Sequence, residues 1–295
     1  MSQVSRREFV KASIAVGAAS GVGALPLDAA TPRSATDTVT LGKTGVKVTR
    51  LAFGTGSGNG RVQSRLGQEE FTRLVHYAYD KGIRFFETSD SYSTPGMLGE
   101  ALKGIPRESY ALMSKVTTDV GADPSKRFDD MLQTSQTEYF DIMLLHWQHS
   151  PDWVTTTAPW QDGVIAAQEK KLIRARGASV HGLPALRLMP GNKWLEIAMI
   201  RMNHNGTRMD GPTYADNTYP ESVDEVVGHV KQVKKEGLGV ISMKLVGDGA
   251  FTQRDDRKAA MKFAFNTAGV DCVTVGYKST QEIDEAIENL NLALA

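Results

Sequence analysis

Short apolar runs alternate with amphipathic helical stretches along most of the chain, and this alternation restricts the fold more than any other feature. The apolar runs are rich in β-branched and aromatic residues, and the predicted strands are 51–53, 84–87, 110–115, 140–146, 173–179, 197–203, 240–244 and 271–276. The predicted helices are 68–81, 96–103, 125–138, 161–171, 183–188, 222–236, 254–267 and 280–294. Eight strand–helix units in sequence predict a parallel sheet covered by helices.

This repeat fits either a closed barrel or an open doubly wound sheet, and a glycine-rich turn helps to separate them. Gly54-Thr55-Gly56 follows the first strand, but Ser-Gly-Asn-Gly and a polar loop come next, unlike the G-x-G-x-x-G turn of dinucleotide-binding sheets. The chain has 295 residues, and without a leader it approaches the roughly 250 residues of one closed barrel. We therefore predict a (β/α)8 TIM barrel over residues 39–295, with a short N-terminal β-hairpin turned at Lys43-Thr44-Gly45.

Charge and cysteine content restrict the partners. The 34 Lys and Arg residues balance the 34 Asp and Glu residues, so no basic field attracts nucleic acid or an anionic membrane. Cys272 is the only cysteine and lies in an apolar run, which excludes an intrachain disulfide and disfavours a thiolate metal site. These features favour a small-molecule partner and a buried, structural thiol.

The first 30 residues have the arrangement of an export signal. Ser5-Arg6-Arg7-Glu8-Phe9-Val10-Lys11 precedes a Gly/Ala-rich stretch at 12–24, and this resembles a twin-arginine signal peptide. The resemblance implies export through the twin-arginine machinery, usually to the periplasm. The apolar stretch is shorter than the roughly 20 residues that span a bilayer, so we expect no stable anchor once cleaved. Cleavage near Ala24 or near Ala30 stays open, as does a disordered tail, and residues 31–38 read as a linker.

Several predicted strands end in one polar residue. The set is Glu87, Lys115, His146, Ser179, Asn203 and Lys244. Because parallel strands share one direction, their last residues meet at the C-terminal mouth, where barrel active sites lie. Each residue alone is explained equally well by a strand leaving the core, but the combination favours a functional site.

The strings around three of these strands resemble the aldo-keto reductase family. Residues 83–92 and 98–102 read IRFFETSDSY and LGEAL, as in the family signature that places a catalytic tyrosine five residues after an aspartate. Tyr92 matches the tyrosine, while Lys115 and His146 match the family's lysine and histidine. Glu87 stands where the aspartate is expected, with Asp90 as an alternative. The resemblance extends through most of the chain from residue 39.

The resemblance implies reduction of a carbonyl by hydride transfer, and the residue types suit that chemistry. Negative charge grows on the carbonyl oxygen and must be protonated or held by donors. A phenol with a pKa of about 10 is a weak acid, and a neighbouring Lys115 ammonium is expected to lower the pKa of Tyr92. His146 is expected to orient the carbonyl by a hydrogen bond, while Glu87 keeps Lys115 charged.

The resemblance also implies a nicotinamide cofactor, although several of its usual contacts are changed. Its predicted contacts are Gly54, Thr55, Ser179, Asn203, Met243, Lys244, Gly247, Lys278 and Glu282. Met243 replaces the usual stacking aromatic, and His181 lies near the position of an expected asparagine. Family habit favours NADP, whereas Glu282 would repel a 2′-phosphate and favour NAD. Both stay open, with NADP placed first, and export implies either a cofactor carried in bound form or limited turnover.

Two loops and two alternative functions stay open in the sequence. The aromatic loop Trp147 to Trp160 fits either a substrate pocket or packing on the barrel rim, and the loop 203–211 has no assigned role. A metal-dependent hydrolase would use Glu87, Asp90, His146 and His149, but Gly54-Thr55-Gly56 stands after the first strand in place of the expected H-x-H pair. A barrel that binds nicotinamide as a sensor or partner subunit is the non-enzyme alternative.

Overall fold

The chain folds into a closed barrel of eight parallel strands in a computed structural model that describes residues 33–215 and 217–295. The predicted signal peptide lies outside these described residues. The barrel strands are β3 (Leu51–Gly54), β4 (Phe85–Glu87), β5 (Ala111–Val116), β6 (Phe140–Gln148), β7 (Ile173–Val180), β8 (Ile197–Arg201), β9 (Gly239–Met243) and β10 (Cys272–Gly276). Neighbours in sequence are neighbours in the barrel, and β10 closes the ring against β3. The predicted barrel is confirmed.

A two-stranded hairpin covers the N-terminal end of the barrel. Strands β1 (Thr38–Thr40) and β2 (Lys47–Thr49) pair antiparallel. Leu41, Val46 and Val48 of the hairpin pack into the same apolar cluster as the barrel interior. The loop between the strands lies against the start of β9, where the Lys43 amide donates to the Gly237 carbonyl at 3.1 Å. The hairpin therefore plugs the end of the barrel opposite the strand termini that carry the candidate site.

Helices surround the barrel at nearly all of the predicted places. They are α1 (Arg61–Ser64), α2 (Gln68–Asp80), α3 (Pro95–Leu102), α4 (Pro124–Thr134), α5 (Trp153–Thr156), α6 (Ala158–Glu169), α7 (Leu183–Leu186), α8 (Val223–Glu236), α9 (Arg254–Lys262) and α10 (Thr280–Leu294). Helices α1 and α5 have four residues each, too few for a periodic pattern, and sequence reasoning missed them. The predicted helix 254–267 divides into α9 and a π-helical turn at Phe263–Ala268.

Alternation along each strand creates two apolar layers. One set of side chains points inward and fills the barrel, for example Phe85, Met113, Ile142 and Cys272. The other set packs beneath the helices in a larger cluster. This arrangement is the usual filling of a small barrel by inward side chains. The buried Cys272 therefore takes the structural place that its apolar surroundings predict.

The described part of the predicted linker packs on the barrel. Ala35 is buried, and its amide donates to the Asn291 side chain of α10 at 2.7 Å. The Ala35 carbonyl accepts from the first residue of β3, Leu51, at 2.9 Å. Backbone pairing thus fixes this segment despite its polar sequence. Among the described residues, no helix combines the length and the apolar character needed to cross a bilayer.

Candidate active site

Four predicted residues come together at the C-terminal mouth of the barrel. Glu87, Lys115 and His146 lie on adjacent strands β4, β5 and β6. Tyr92 lies in the turn after β4, where its amide donates to the Ser89 carbonyl at 3.1 Å. A methyl group at Gly56 would lie 2.6 Å from the Tyr92 hydroxyl, so this hydroxyl lies directly against the turn after β3. The structure therefore places the tyrosine beside the three strand ends.

Glu87 and Lys115 form a buried ion pair. Their exposed fractions are 3% and 1%, and the Lys115 ammonium contacts Oε1 of Glu87. The ammonium also donates to the Thr88 carbonyl at 2.8 Å and lies 4.7 Å from the centroid of the Tyr92 ring. Burial lowers the pKa of Lys115, while the neighbouring Glu87 carboxylate opposes that change. Glu87 is thus the carboxylate that holds the lysine next to the tyrosine.

Asp90, the alternative partner of Lys115, is engaged elsewhere. Its carboxylate accepts from the amide of Thr117 at 2.9 Å and from the Thr117 hydroxyl at 2.9 Å. Arg127 of α4 also donates to it at 2.9 Å. These bonds tie the turn that carries Tyr92 to the end of β5. Asp90 therefore supports the turn, and Glu87 takes the position of the expected aspartate.

His146 is held in an orientation suited to a neutral donor. Its Nδ1 lies 2.8 Å from the Ser89 hydroxyl and 3.2 Å from the Ser91 hydroxyl. Burial lowers the pKa of His146 well below 6.5, and the positive charges of Lys115 and Lys244 lower it further. A hydroxyl that donates to Nδ1 leaves the proton of the neutral ring on Nε2. The His146 ring meets the Tyr92 ring edge to face, with centroids 5.5 Å apart.

The expected lowering of the Tyr92 pKa is wrong for the resting site. Burial raises the pKa of Tyr92 well above 10, and the carboxylates of Glu87, Asp248 and Asp90 raise it further. The Lys115 ammonium, which lies over the ring face, does not offset these effects. The Tyr92 phenol therefore keeps its proton in the resting site.

A cavity of about 530 Å³ extends from Tyr92 and Glu87 toward the last helix, while Lys115 and His146 lie behind its wall and do not line it. Tyr92, Glu87 and Gly54 line its inner end, and Met243 and Lys244 line its middle. Its outer end is lined by residues of the β10–α10 loop and of α9 and α10, namely Lys278, Glu282, Glu285, Arg257 and Asn289. Five of the predicted cofactor contacts therefore face one continuous space, which fits an elongated dinucleotide.

The other four predicted contacts, Thr55, Ser179, Asn203 and Gly247, do not line this cavity. Ser179 accepts from the Trp147 amide at 3.0 Å, and Thr55 bonds to the Thr94 hydroxyl at 2.8 Å. Asn203 is buried and donates to the Thr207 carbonyl at 2.6 Å. These side chains hold neighbouring loops in place. The sequence correctly placed these four residues at the C-terminal mouth of the barrel. The side chains of Thr55, Ser179 and Asn203 bond to neighbouring loops and do not face the cavity.

Sequence reasoning missed a group of charges beside Lys244. The Lys244 ammonium lies 3.0 Å from the Asp248 carboxylate, and Arg208 of the loop after β8 lies 3.4 Å from the same oxygen. Asp248 lines the cavity next to Lys244. The Gly-Asp-Gly sequence around residue 248 indicated only a turn. The convergence of two cations from separate loops could not be seen without the fold.

The outer end of the cavity is more acidic than the sequence indicated. Glu285 lines it in addition to Glu282, and Arg257 forms a bidentate pair with Glu285 at 2.6 and 2.9 Å. Glu282 also helps to cap α10 in an arrangement like a capping box: the Ser279 hydroxyl accepts from the Glu282 amide at 3.3 Å, and the Glu282 carboxylate accepts from the Lys278 amide at 2.8 Å. Glu282 therefore combines a structural contact with a negative charge at the cavity wall.

Aromatic residues near His146 divide into a core pair and an exposed cluster. Trp153 and Trp160 are buried, which assigns them to packing. Trp147 is 48% exposed and has a left-handed φ of 55° at an irregularity of β6. Its ring contacts those of His149, His181 and Tyr214. Strained, exposed aromatics beside an acid–base group are typical of functional sites.

A buried ion pair anchors the loop that follows β8. Arg201 and Asp210 are both fully buried, 2.7 Å apart, and Asp210 also accepts from the Gly182 amide at 2.6 Å. The loop then returns through a bridge between Thr207 and Thr218. It carries Arg208 to Asp248, which lines the cavity, and Tyr214 to the exposed aromatic cluster. This segment, which has no assigned role in sequence, thus joins two parts of the mouth.

The fold and this group define a class: a parallel barrel whose C-terminal mouth brings Tyr92 and His146 to a buried Glu87–Lys115 pair and opens into a long cavity. A sequence model of the Aldo/keto reductase family matches residues 50–295, and the chain belongs to this family of oxidoreductases. Within residues 33–215 and 217–295, no cluster of three or more His, Cys, Asp or Glu side chains is arranged to hold a metal.

Two curated relatives and one solved structure illustrate the relationship. L-galactose dehydrogenase of Arabidopsis thaliana is 33% identical over 272 residues, covering 82% of this chain and 76% of that protein. Methylglyoxal reductase DkgA of Salmonella typhimurium is 28% identical over 140 residues, covering 43% of this chain and about half (50%) of that protein. An aldo-keto reductase of Klebsiella pneumoniae, solved with NADPH, shares the fold with a TM-score of 0.66 and 16% identity, over 88% of this chain and 90% of that one.

Proposed function

We propose that the protein interconverts a carbonyl compound and an alcohol by hydride transfer, with Tyr92 as general acid and base. The observation that carries this proposal is the cavity that joins Tyr92 and Glu87, the partner of Lys115, to a middle lined by Lys244 and Asp248 and to a polar outer end. A dinucleotide in this space would have its reactive ring beside the acid–base group. The cofactor supplies the hydride when it is bound.

The resting protonation states suit reduction. Tyr92 keeps its proton because its pKa is raised, so it can donate that proton as charge grows on the carbonyl oxygen. His146, whose pKa is lowered, is a neutral donor that fixes the same oxygen without adding charge. Lys115 lies against the Tyr92 ring and stabilises the phenolate left after proton transfer. Together these groups return to their starting state when Tyr92 takes up a proton.

We propose NADP or NAD as the cofactor, with NADP placed first. Membership of the family favours NADP, and the Klebsiella structure contains NADPH. The charges at the outer end oppose a 2′-phosphate, since Glu282 and Glu285 line it and Arg257 is already paired with Glu285. Lys278, 3.9 Å from Glu282, is the cation left to offset them. A fluorescence titration with NADPH and NADH separates the two.

The substrate that we propose is a small aldehyde, ketone or sugar. The names of two relatives, L-galactose dehydrogenase and methylglyoxal reductase, belong to this class. Trp147 and Tyr214 present exposed rings beside His146, and such rings pack well against the apolar face of a sugar. A panel that compares aldoses, their lactones and short α-oxoaldehydes identifies the better class.

Tyr92→Phe tests the catalytic proposal against the sensor alternative. Removing the phenolic hydroxyl takes away the proton donor, so we expect turnover to fall by about 10²-fold or more, while the Kd for the dinucleotide changes little. Turnover is measured by cofactor absorbance and Kd by quenching of protein fluorescence. Wild-type protein that binds the dinucleotide and reduces no carbonyl would instead support a sensor or partner subunit.

Export of the folded protein is the second part of the proposal, and it rests on the Arg6-Arg7 signal. We propose that the twin-arginine machinery carries the barrel to the periplasm with its cofactor bound. A free pool of reduced nicotinamide is not expected there, so a tightly held cofactor would be reduced by one substrate and oxidised by another. Such an enzyme would couple oxidation of an alcohol or sugar to reduction of a second carbonyl.

A further inference from the structure

Gly54 and Thr274 lie beside the Glu87–Lys115 pair on strands that carry none of the acid–base residues. Gly54 is the last residue of β3 and lies opposite Glu87 in register. Thr274 is on β10, the strand on the other side of β3. Going around the barrel, Lys115, Glu87, Gly54 and Thr274 therefore come from the consecutive strands β5, β4, β3 and β10.

The Glu87 carboxylate connects the two outer members of this row. Its Oε1 accepts from Lys115, and its Oε2 accepts from the Thr274 hydroxyl at 3.3 Å. Glu87 and Thr274 are both buried. To reach Thr274, the carboxylate passes over Gly54. A methyl group on Gly54 would lie 2.9 Å from Oε2 and 2.4 Å from the Thr274 hydroxyl. The contact exists because residue 54 has no side chain.

The length of the glutamate matters for this contact. An aspartate is one methylene shorter, which withdraws the carboxylate by roughly 1.5 Å, and it could not pass over Gly54 to Thr274 while still meeting Lys115. We propose that Gly54 and Thr274 are positioning residues that adapt this site to glutamate at position 87. The inference rests on the proposed function, because it concerns how the Lys115 ammonium is held against Tyr92.

The expected consequence of losing the Thr274 hydroxyl follows from the burial of Glu87. A carboxylate that is 3% exposed and loses one of its donors is destabilised. The carboxylate then turns, and the Lys115 ammonium that it holds shifts relative to the Tyr92 ring, now 4.7 Å from its centroid. Thr274 lines the cavity, but its hydroxyl donates to Glu87, so we expect the effect in the chemical step and not in dinucleotide binding.

A double-mutant cycle between Thr274 and Glu87 tests the inference. Thr274→Val removes the hydroxyl at nearly constant volume, and Thr274→Ser keeps it. In the wild-type background we expect Thr274→Val to lower kcat by about ten-fold, with KM and dinucleotide Kd within about two-fold, and Thr274→Ser to restore most of the loss. In the Glu87→Asp background, Thr274→Val should change kcat by less than about two-fold, because the shorter side chain does not use the hydroxyl.

A second readout keeps the test independent of turnover. Unfolding of the same four proteins in urea should show a coupling between Thr274→Val and Glu87→Asp of about five-fold in the equilibrium constant, the size of one buried hydrogen bond. Equal effects of Thr274→Val in both backgrounds, in kcat and in unfolding, would overturn the inference. If wild-type protein reduces no carbonyl, the proposed function fails, while the unfolding cycle still decides whether Thr274 positions Glu87.

Discussion

His181 belongs to a group of residues that the fold brings close to positive charge. Burial lowers its pKa well below 6.5, and Arg201, His146, Lys244 and His149 lower it further by their charge. The folded protein therefore binds a proton at His181 less readily than the unfolded chain does. The resulting stability is present above about pH 6.5 and is lost as the pH falls toward the folded pKa.

We expect His181→Asn to flatten this pH dependence. Between pH 6.5 and 5.5 the free energy of unfolding of wild type should fall more steeply than that of the variant, by up to about 1.4 kcal/mol per pH unit. Urea unfolding at pH 7.5, 6.5 and 5.5 measures the difference. Parallel curves for the two proteins would show that His181 ionises equally in the folded and unfolded states.

A substitution at Glu282 tests the cofactor preference, because it can remove the charge of the side chain and keep its capping hydrogen bond. Glu282→Gln keeps an acceptor for the Lys278 amide but removes a negative charge from the cavity wall. A 2′-phosphate should then bind better, so the ratio of NADPH to NADH affinity should rise by about three- to ten-fold, roughly 1 kcal/mol. Fluorescence titrations of both cofactors give this ratio.

Glu288→Gln is the matched control for this change. Glu288 is on the same helix, its side chain is 60% exposed, and it pairs with Arg254 and does not line the cavity. Its removal alters net charge by the same amount without altering the cavity wall. A rise in the affinity ratio of equal size in both variants would assign the effect to net charge and not to a contact with the adenosine end.

At the level of elements, the N-terminal hairpin is predicted to contribute stability and not catalysis. Gly42 has a left-handed φ of 51°, and a methyl group there would lie 2.3 Å from the Gly239 amide nitrogen at the start of β9. Gly42→Ala should therefore destabilise the protein by about 2 kcal/mol or more, through backbone strain and displacement of the hairpin. KM should stay unchanged, because the site lies at the opposite end of the barrel.

Gly45→Ala separates the cost of backbone strain from the cost of displacing the hairpin. Gly45 has a similar left-handed φ of 76°, but a methyl group there would meet no atom within 4 Å. We expect a cost of about 1 kcal/mol from strain alone. Urea unfolding of both variants gives the comparison, and a smaller loss in Gly42→Ala than in Gly45→Ala would contradict the close packing of the hairpin on β9.

The same elements show what sequence reasoning reached and where it stopped. Strands and long helices were predictable because hydrophobic periodicity extends over whole elements. Of the three four-residue helices, α7 was predicted, whereas α1 and α5 are too short to show a period and were missed. Glu87, Lys115 and His146 were found because parallel strands bring their last residues to one mouth. The role of Thr274 was missed because a hydroxyl on β10 meets a carboxylate of β4 only after the barrel closes.

The direction in which side chains point at the strand ends could not be predicted from the sequence either. Ser179 lies at the end of β7, and Asn203 and Lys244 follow β8 and β9. Ser179 and Asn203 nevertheless bond to the Trp147 amide and the Thr207 carbonyl. A position at a strand end therefore predicts that a residue lies at the mouth of the barrel, but it does not predict which group its side chain hydrogen-bonds. The same limit explains the sign of the pKa change at Tyr92, which depends on burial and on the neighbouring carboxylates.

At the level of the whole molecule, the described residues of the proposed site lie between Gly54 and Asn289, within the single barrel. We therefore expect that changes at the proposed Arg6-Arg7 signal affect export and not the chemistry of the site. Changing both arginines to lysine should keep the protein in the cytoplasm with unaltered kcat and KM. Cell fractionation with an activity assay in each fraction measures this, and export of the lysine variant would contradict the proposed signal.

Bound cofactor provides the last test of export in the folded state. Because the dinucleotide would bind within the folded barrel, a protein that leaves the cytoplasm after folding can carry it along. Native mass spectrometry of protein purified from the periplasm should therefore show the mass of one dinucleotide per chain, and the cytoplasmic lysine variant should show the same. Apo-protein in the periplasm beside loaded protein in the cytoplasm would mean that the cofactor is lost during export, and recycling between two substrates would then have no basis.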